Sequence, residues 1–206
     1  MTPPNDRARA LSLKARVATM DDLPTLRLLI AASVRGLSSG FYTTEQVEAA
    51  LTHIFGIDTQ LVADRTYYVI DGEAGPAAAG GWSARRTLYG GDQMKRGEDA
   101  LLDPISEPAR IRAFFVHPDQ ARQGLARRLY AECARAAWAA GFRSFELMST
   151  RPGEPLYFAL GFSVVERIVL SLPGDIEFPL ARMARPIDPP VMASAGAARS
   201  LFHPEL

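Results

Sequence analysis

The sequence predicts an α/β domain of the α+β kind, with a mixed sheet of about seven strands and helices on both faces. Three observations predict it. Strand-like and helix-like segments alternate in the order β-α-α-β-β-β-α-β-α-β-β. Near the middle, Phe114 to Leu129 reads as a buried strand, a sharp turn and the start of a helix. Near the end, Leu172-Pro173-Gly174-Asp175 is a turn signal joining two strand-like runs into a hairpin.

Composition narrows the class. The chain has 206 residues, with 23 basic and 23 acidic side chains. That is enough for one domain with a sizeable core, and the even balance argues against a nucleic-acid partner. No apolar run is long enough to cross a membrane, and the first residues lack the apolar core of a signal peptide, so a cytoplasmic protein is expected. The single cysteine, Cys133, excludes an internal disulfide, and it reads as a small buried hydrophobe. His53, His117 and His203 show no ligand spacing, so no metal is expected.

Residues 1–12 are polar and Pro-containing and are expected to be flexible. Residues 13–185 carry the domain, and 186–206, Pro- and Ala-rich, are expected to form a tail. Leu13 to Ala18 alternates apolar and basic residues, as a half-buried strand does. Asp21 or Asp22 caps the first helix, Pro24 fits its first turn, and Leu23, Leu26, Leu29, Ile30 and Val34 form its apolar stripe. Gly36 to Tyr42 breaks that helix, and Thr43 with Gln46 makes a capping box for the second. The Gly/Ser loop between them carries Phe41 and Tyr42. Together with Trp82, these aromatics are the candidate substrate-pocket contacts, although they would serve equally as core cover.

Thr66 to Ile70 is a strand by its β-branched and aromatic content, and Asp71 to Gly75 is a turn. The next strand, Ala77 to Trp82, contains Gly80-Gly81, which marks a bulge or a close approach. Residues 87–109 lack periodicity. A connection this long in a compact domain is usually functional or mobile, and this one is expected to hang over the site. Arg110 to Val116 is the central strand. A helix follows from about Arg122 to Ala140, ended by Gly141, with Leu125, Leu129, Cys133, Ala136 and Ala140 on its buried face. Ser144 to Thr150 is a strand, Pro155 opens a short helix, and Ser163 to Ser171 with Ile176 to Ala184 make the last hairpin.

The junction between the central strand and the long helix is the candidate site. The first amides of a helix lack carbonyl partners, and the peptide dipoles favour negative charge there. Gly124 admits a close approach, Ala126 keeps the next turn bare, and Arg122, Arg127 and Arg128 add positive charge. Neither Gly-x-Gly-x-x-Gly nor Gly-Lys-Ser/Thr is present, so the dinucleotide and P-loop fingerprints are excluded.

Val116-His117-Pro118 followed by Ala121-Arg122-Gln123-Gly124-Leu125-Ala126 resembles motif A of the GNAT superfamily of N-acetyltransferases. The departure is Ala121, where the pattern prefers Gln or Arg. A second signature of that family, Tyr-x-x-x-Gly-Phe, matches Tyr157 to Phe162 one helix and one strand later. The resemblance spans residues 13–185. It implies a GNAT-like, mostly antiparallel twisted sheet and acetyl-CoA as co-substrate. The pyrophosphate would rest on amides from Arg122 to Ala126, with Ala121 and Arg127 as further coenzyme contacts. The pantetheine arm would pair with the strand edge at Phe114, Phe115 and Val116, and an amide near Phe115 would meet the oxyanion. Tyr157 would be the general acid that protonates the leaving thiolate. Thr150 stands where many members carry a coenzyme-contacting Asn. No general base is assigned. Asp92, Glu146 and Glu154 are candidates by region only, and water would serve.

The implied activity is transfer of an acetyl group to the primary amine of a small molecule, by direct attack in a ternary complex. A protein or peptide acetyltransferase is the second reading, and an open acidic groove would favour it. The third is a non-catalytic acyl-CoA sensor, against which the retained Tyr157 weighs. The expected partner is a small-molecule amine, without nucleic acid or membrane, and the exposed final strands leave room for a homodimer.

Overall fold

The computed structural model describes residues 14–189. The whole expected N-terminal segment, residues 1–12, and most of the expected tail lie outside them. One seven-stranded sheet runs through the molecule in the order β1-β2-β3-β4-β5-β7-β6. The strands are β1 (Ala15–Val17), β2 (Tyr67–Gly72), β3 (Gly75–Ser83), β4 (Ala109–Val116), β5 (Ser144–Thr150), β6 (Ser163–Leu172) and β7 (Ile176–Pro186). The helices are α1 (Leu23–Leu37), α2 (Thr44–His53), α3 (Thr59–Ala63), α4 (Leu125–Ala139) and α5 (Glu154–Ala159). Every pairing is antiparallel except that of β4 with β5.

The helices divide between the two faces and make two cores. One joins Leu125, Leu129, Cys133 and Ala137 of α4 to Ile111, Phe145 and Leu147 of the sheet. The other joins α1 to α3 to Val69, Ala79 and Phe115. Adjacent strand residues point to opposite faces, so Phe114 and Val116 pack towards the α4 core while Phe115 belongs to the other.

Local chemistry explains the element ends. In α1 the buried residues are Leu26, Leu29, Ile30, Ser33 and Val34, a stripe at helical spacing. The Thr19 N–H donates to Asp22 Oδ2 at 2.7 Å just before it. The α2 capping box forms as expected: Gln46 N–H donates to Thr43 Oγ1 at 3.1 Å, and Thr43 N–H donates to Gln46 Oε1 at 2.9 Å. At the end of α4, the Phe142 N–H reaches back to Ala137 O at 3.0 Å, with Gly141 at φ +98°.

The structure corrects four expectations. The short helix α3 has no counterpart in the sequence reading. It has five residues, too few for a periodic signal, and Asp58 caps it through the Gln60 N–H. Helix α4 begins at Leu125 rather than about Arg122, because Arg122 (φ +64°) and Gly124 (φ +84°) both hold left-handed backbone. Its buried stripe leaves Cys133 through Ala137 and includes Tyr130, whereas Ala136 is half-buried and Ala140 exposed. Packing also runs past residue 185. Ile187 is buried in the α4-side core, and its N–H donates to Arg143 O at 2.8 Å.

Two features of β4 open the sheet. Parallel pairing with β5 is confined to Ala109 with Phe145 and Arg110 with Glu146. Both strands then run on to Val116 and Thr150 unpaired with each other, so a gap widens between their C-terminal ends. The β3–β4 register also shifts between Ala79 and Gly81, and Ala113 has φ +52°. The glycines of this bulge are sterically required. A Cβ on Gly80 would stand 2.3 Å from the Phe114 ring, and one on Gly81 would stand 2.5 Å from Thr66 O.

Candidate functional site

The gap between β4 and β5 is the centre of a cavity that crosses the sheet. Its walls come from the end of α1 (Ser33, Val34, Leu37), the segment after α2 (Phe55, Gly56), residues 88–91, β4 from Arg112 to Val116, β5 from Met148 to Thr150, and α5 with Leu156 and Tyr157. Ala126 of α4 lies at its edge.

The loop before α4 presents a run of unused donors. The first hydrogen bond into the helix is Arg128 N–H to Gly124 O, at 3.2 Å. Among the described residues, the amides from Arg122 to Arg127 donate to nothing, and no side chain caps the helix. The Ala121 amide differs, because it is spent on Pro118 O at 3.1 Å. A Cβ on Gly124 would meet nothing within 4 Å, so the space above the loop is open. Leu125 is buried in the core and offers only its amide. Arg122 and Arg127 are exposed, and Arg127 Nη1 lies 3.4 Å from Ala159 O. Left-handed backbone at Arg122 and Gly124 turns successive N–H groups inwards, a cradle suited to phosphate oxygens.

The β4 edge needs one refinement. His117 N–H donates to Ala77 O at 2.8 Å, so by alternation Phe115 also faces its β3 partner, Ala79. The amide that points into the gap is that of Val116, and it donates to Ser33 Oγ at 3.1 Å. Ser33 is buried and lines the cavity. The sequence reading missed it. Its only signal was a hydroxyl inside an apolar helical stripe.

Tyr157 stands on α5 with its ring edge-on to Phe162, centroids 5.6 Å apart. It is 8% exposed and faces the cavity. Its hydroxyl makes no hydrogen bond among the described residues, unlike those of Tyr42 and Tyr67. Burial pushes its phenol well above the ordinary value of 10.0, so it stays protonated through neutral pH. Thr150 also lines the cavity, at the end of β5.

The candidate substrate-pocket contacts are not brought together. Phe41 is exposed and outside the cavity wall. Tyr42 is structural: its ring stacks on Phe178 at 4.3 Å, its hydroxyl donates to Pro179 O at 2.7 Å, and it accepts the Arg151 N–H at 2.9 Å. Trp82 is buried against Phe142 on the α4 side. The three carboxylates considered as bases are engaged elsewhere. Glu146 is held by Arg110 and Arg182, Glu154 by Arg167 at 3.0 Å, and Asp92 by the Thr59 N–H and Lys95. None of the three lines the cavity.

The segment from 87 to 91 forms a strap over the cavity, and a buried arginine holds it. Arg112 donates to Asp58 Oδ2 at 2.8 Å, to Thr87 O at 2.7 Å and to Gly90 O at 2.7 Å. The Arg112 and Asp58 side chains are each 2% exposed, and Lys95 closes the group on the other Asp58 oxygen. The base of the excursion is ordered by Arg85 on Asp64 and by the Arg86 N–H on Ala100 O. The clue was available in the sequence as a charged residue inside a central strand, since such a charge must be paired when buried.

Residues 102–170 match the family model for the acetyltransferase (GNAT) domain. That segment holds β4, the amide cradle, α4, β5, α5 and most of β6. The chain carries the GNAT fold. Solved structures agree across nearly the whole domain. A GCN5-related N-acetyltransferase from Rhodopseudomonas palustris is 17% identical with a TM-score of 0.62, over 84% of this chain and 95% of its own. The PaiA N-acetyltransferase from Thermoplasma acidophilum, in complex with coenzyme A, is 14% identical with a TM-score of 0.57, over 85% and 99%. A GNAT superfamily phosphinothricin acetyltransferase from Sinorhizobium meliloti, in complex with acetyl-CoA, is 18% identical with a TM-score of 0.54, over 85% and 89%. No curated protein matches the sequence. Ala126, at the edge of the cavity that Tyr157 lines, is where the amide cradle meets the gap in this sheet.

Proposed function

We propose that this protein is an acetyl-CoA-dependent N-acetyltransferase that acetylates the primary amine of a small molecule by direct attack. The observation that carries the reading is the unspent amide run from Arg122 to Arg127, which opens beside a gap in the sheet that holds the unpaired Tyr157 hydroxyl. The cradle suits a pyrophosphate, and the Val116 amide suits a carbonyl of a peptide-like arm once Ser33 yields it. When bound, acetyl-CoA supplies an activated acyl group on a thiol leaving group.

The chain's own residues do the rest. The cavity walls orient the amine and exclude water. The protonated Tyr157 phenol stands ready to give its proton to the departing sulfur. The strap and the ends of α1 and α2 cover the acceptor side, which favours a small acceptor over a peptide lying in an open groove. The sensor reading would leave Tyr157 without a task. Calorimetric titration with acetyl-CoA, followed by thiol release against an amine panel, tests the proposal. Binding with turnover supports it. Binding without turnover of any amine would return the sensor reading, and no binding would remove the cradle from consideration.

A further inference from the structure

The acceptor end of the cavity has a composition that selects among amines. On the α1–α2 side of β4 its wall carries Leu37, Ile54, Phe55, Leu88 and Phe115, with Ser33 and Ser38 as its small neutral polar groups. The titratable side chains on the wall are those of Tyr89, Arg112 and Tyr157, and among the described residues no carboxylate, histidine or lysine lines it. The one formal charge is already spent. Arg112 is matched by Asp58 and by the carbonyls of Thr87 and Gly90, behind the strap.

Resting on the acetyltransferase reading, we infer that the acceptor is a monoamine with an apolar body, of the arylalkyl or alkyl class, and that it is bound as the free base. A second ammonium, as in a diamine or polyamine, would enter a low-dielectric site already holding a guanidinium and find no counter-charge. A carboxylate, as in an amino acid, would find Arg112 occupied. The same apolar wall disfavours the ammonium form of the reacting nitrogen, so the cavity itself selects the nucleophile that a general base would otherwise make. The proton balance closes without a side-chain base. The ammonium gives one proton to solvent before entry, and the free amine forms the C–N bond as the C–S bond breaks. Tyr157 protonates the sulfur and is restored by the proton that the new amide nitrogen loses.

The test compares kcat/KM for phenethylamine, hexylamine, 1,4-diaminobutane, spermidine, glycine and a free-amine tripeptide at saturating acetyl-CoA. The coenzyme's Kd is measured separately by calorimetry. The two monoamines should exceed the diamine, spermidine and glycine by about 10–100-fold, the factor for leaving one charge unpaired in such a site. In Leu88→Asp, which places a carboxylate on the strap, the ratio should move towards the diamine while coenzyme affinity holds. Failure of acetyl-CoA to bind would remove the acetyltransferase reading as a whole. With binding intact, the inference alone is overturned by a preference for diamines, amino acids or peptides, by no turnover of either monoamine, or by an unmoved ratio in Leu88→Asp.

Discussion

At Tyr157 the proposed chemistry rests on one hydroxyl that makes no hydrogen bond among the described residues. Tyr157→Phe should lower turnover while coenzyme affinity stays near the wild-type value, and equal turnover would remove Tyr157 as the acid. The upward shift of its phenol has a sign consequence. The acid form persists above pH 10.0, so rates should climb with pH as the amine deprotonates, with no alkaline loss from Tyr157 below that value. A pH profile of kcat/KM reads this directly. Asp58 makes the opposite case, a residue spent entirely on structure. Asp58→Ala would leave Arg112 buried without its counter-charge and the strap without its anchor. Destabilisation of about 3–5 kcal/mol is expected, read from a urea midpoint.

At the scale of elements, β3 sets the cavity wall through what it lacks. Gly80→Ala would push its Cβ onto the Phe114 ring, so coenzyme affinity should fall although no ligand-facing side chain has changed. Gly124→Val would combine left-handed strain with a branched side chain above the cradle. It should weaken acetyl-CoA binding more than it lowers the melting temperature. The start of α1 has its own acid-sensitive tie. Asp22 accepts from Arg16 and the Thr19 N–H, and mainly through Arg16 its carboxyl is held down at about 2, against an ordinary 3.8. A depressed carboxyl contributes stability that is present above 3.8 and lost as pH falls through 2. The difference in urea midpoint between wild type and Asp22→Asn should therefore be present near neutral pH and vanish on acidification through that window.

For the whole molecule, the sheet closes with help from beyond its last strand. Ile187 is 4% exposed in the core beneath α4, and Arg185 beside it engages Leu160 O and Asp188. A chain ended at Pro186 should be less stable than one ended at Pro189 by about 2–5 kcal/mol, the range for emptying a buried aliphatic site. Equal stability would mean that Ile187 contributes nothing. The same closing hairpin braces the loop between α1 and α2, since Phe178 and Pro179 hold Tyr42 and Glu177 O accepts from Gln46 at 2.5 Å.

What the sequence determined by itself was local or nearly so. Thr43 and Gln46 cap a helix three residues apart, Gly141 ends another, and Pro173-Gly174 turns a hairpin. Two signatures, Ala121 to Ala126 and Tyr157 to Phe162, were enough to name the architecture. The order of elements and the central position of β4 were legible because hydrophobic period and turn chemistry act over a few residues. Only the tertiary structure decided how the cavity is walled and strapped. That Arg112 meets Asp58 across 54 positions, that Ser33 takes the Val116 amide across 83, and that Tyr42 is tied down across 137 are outcomes of packing. No spacing along the chain encodes them, because each depends on which faces of distant elements the two cores bring together.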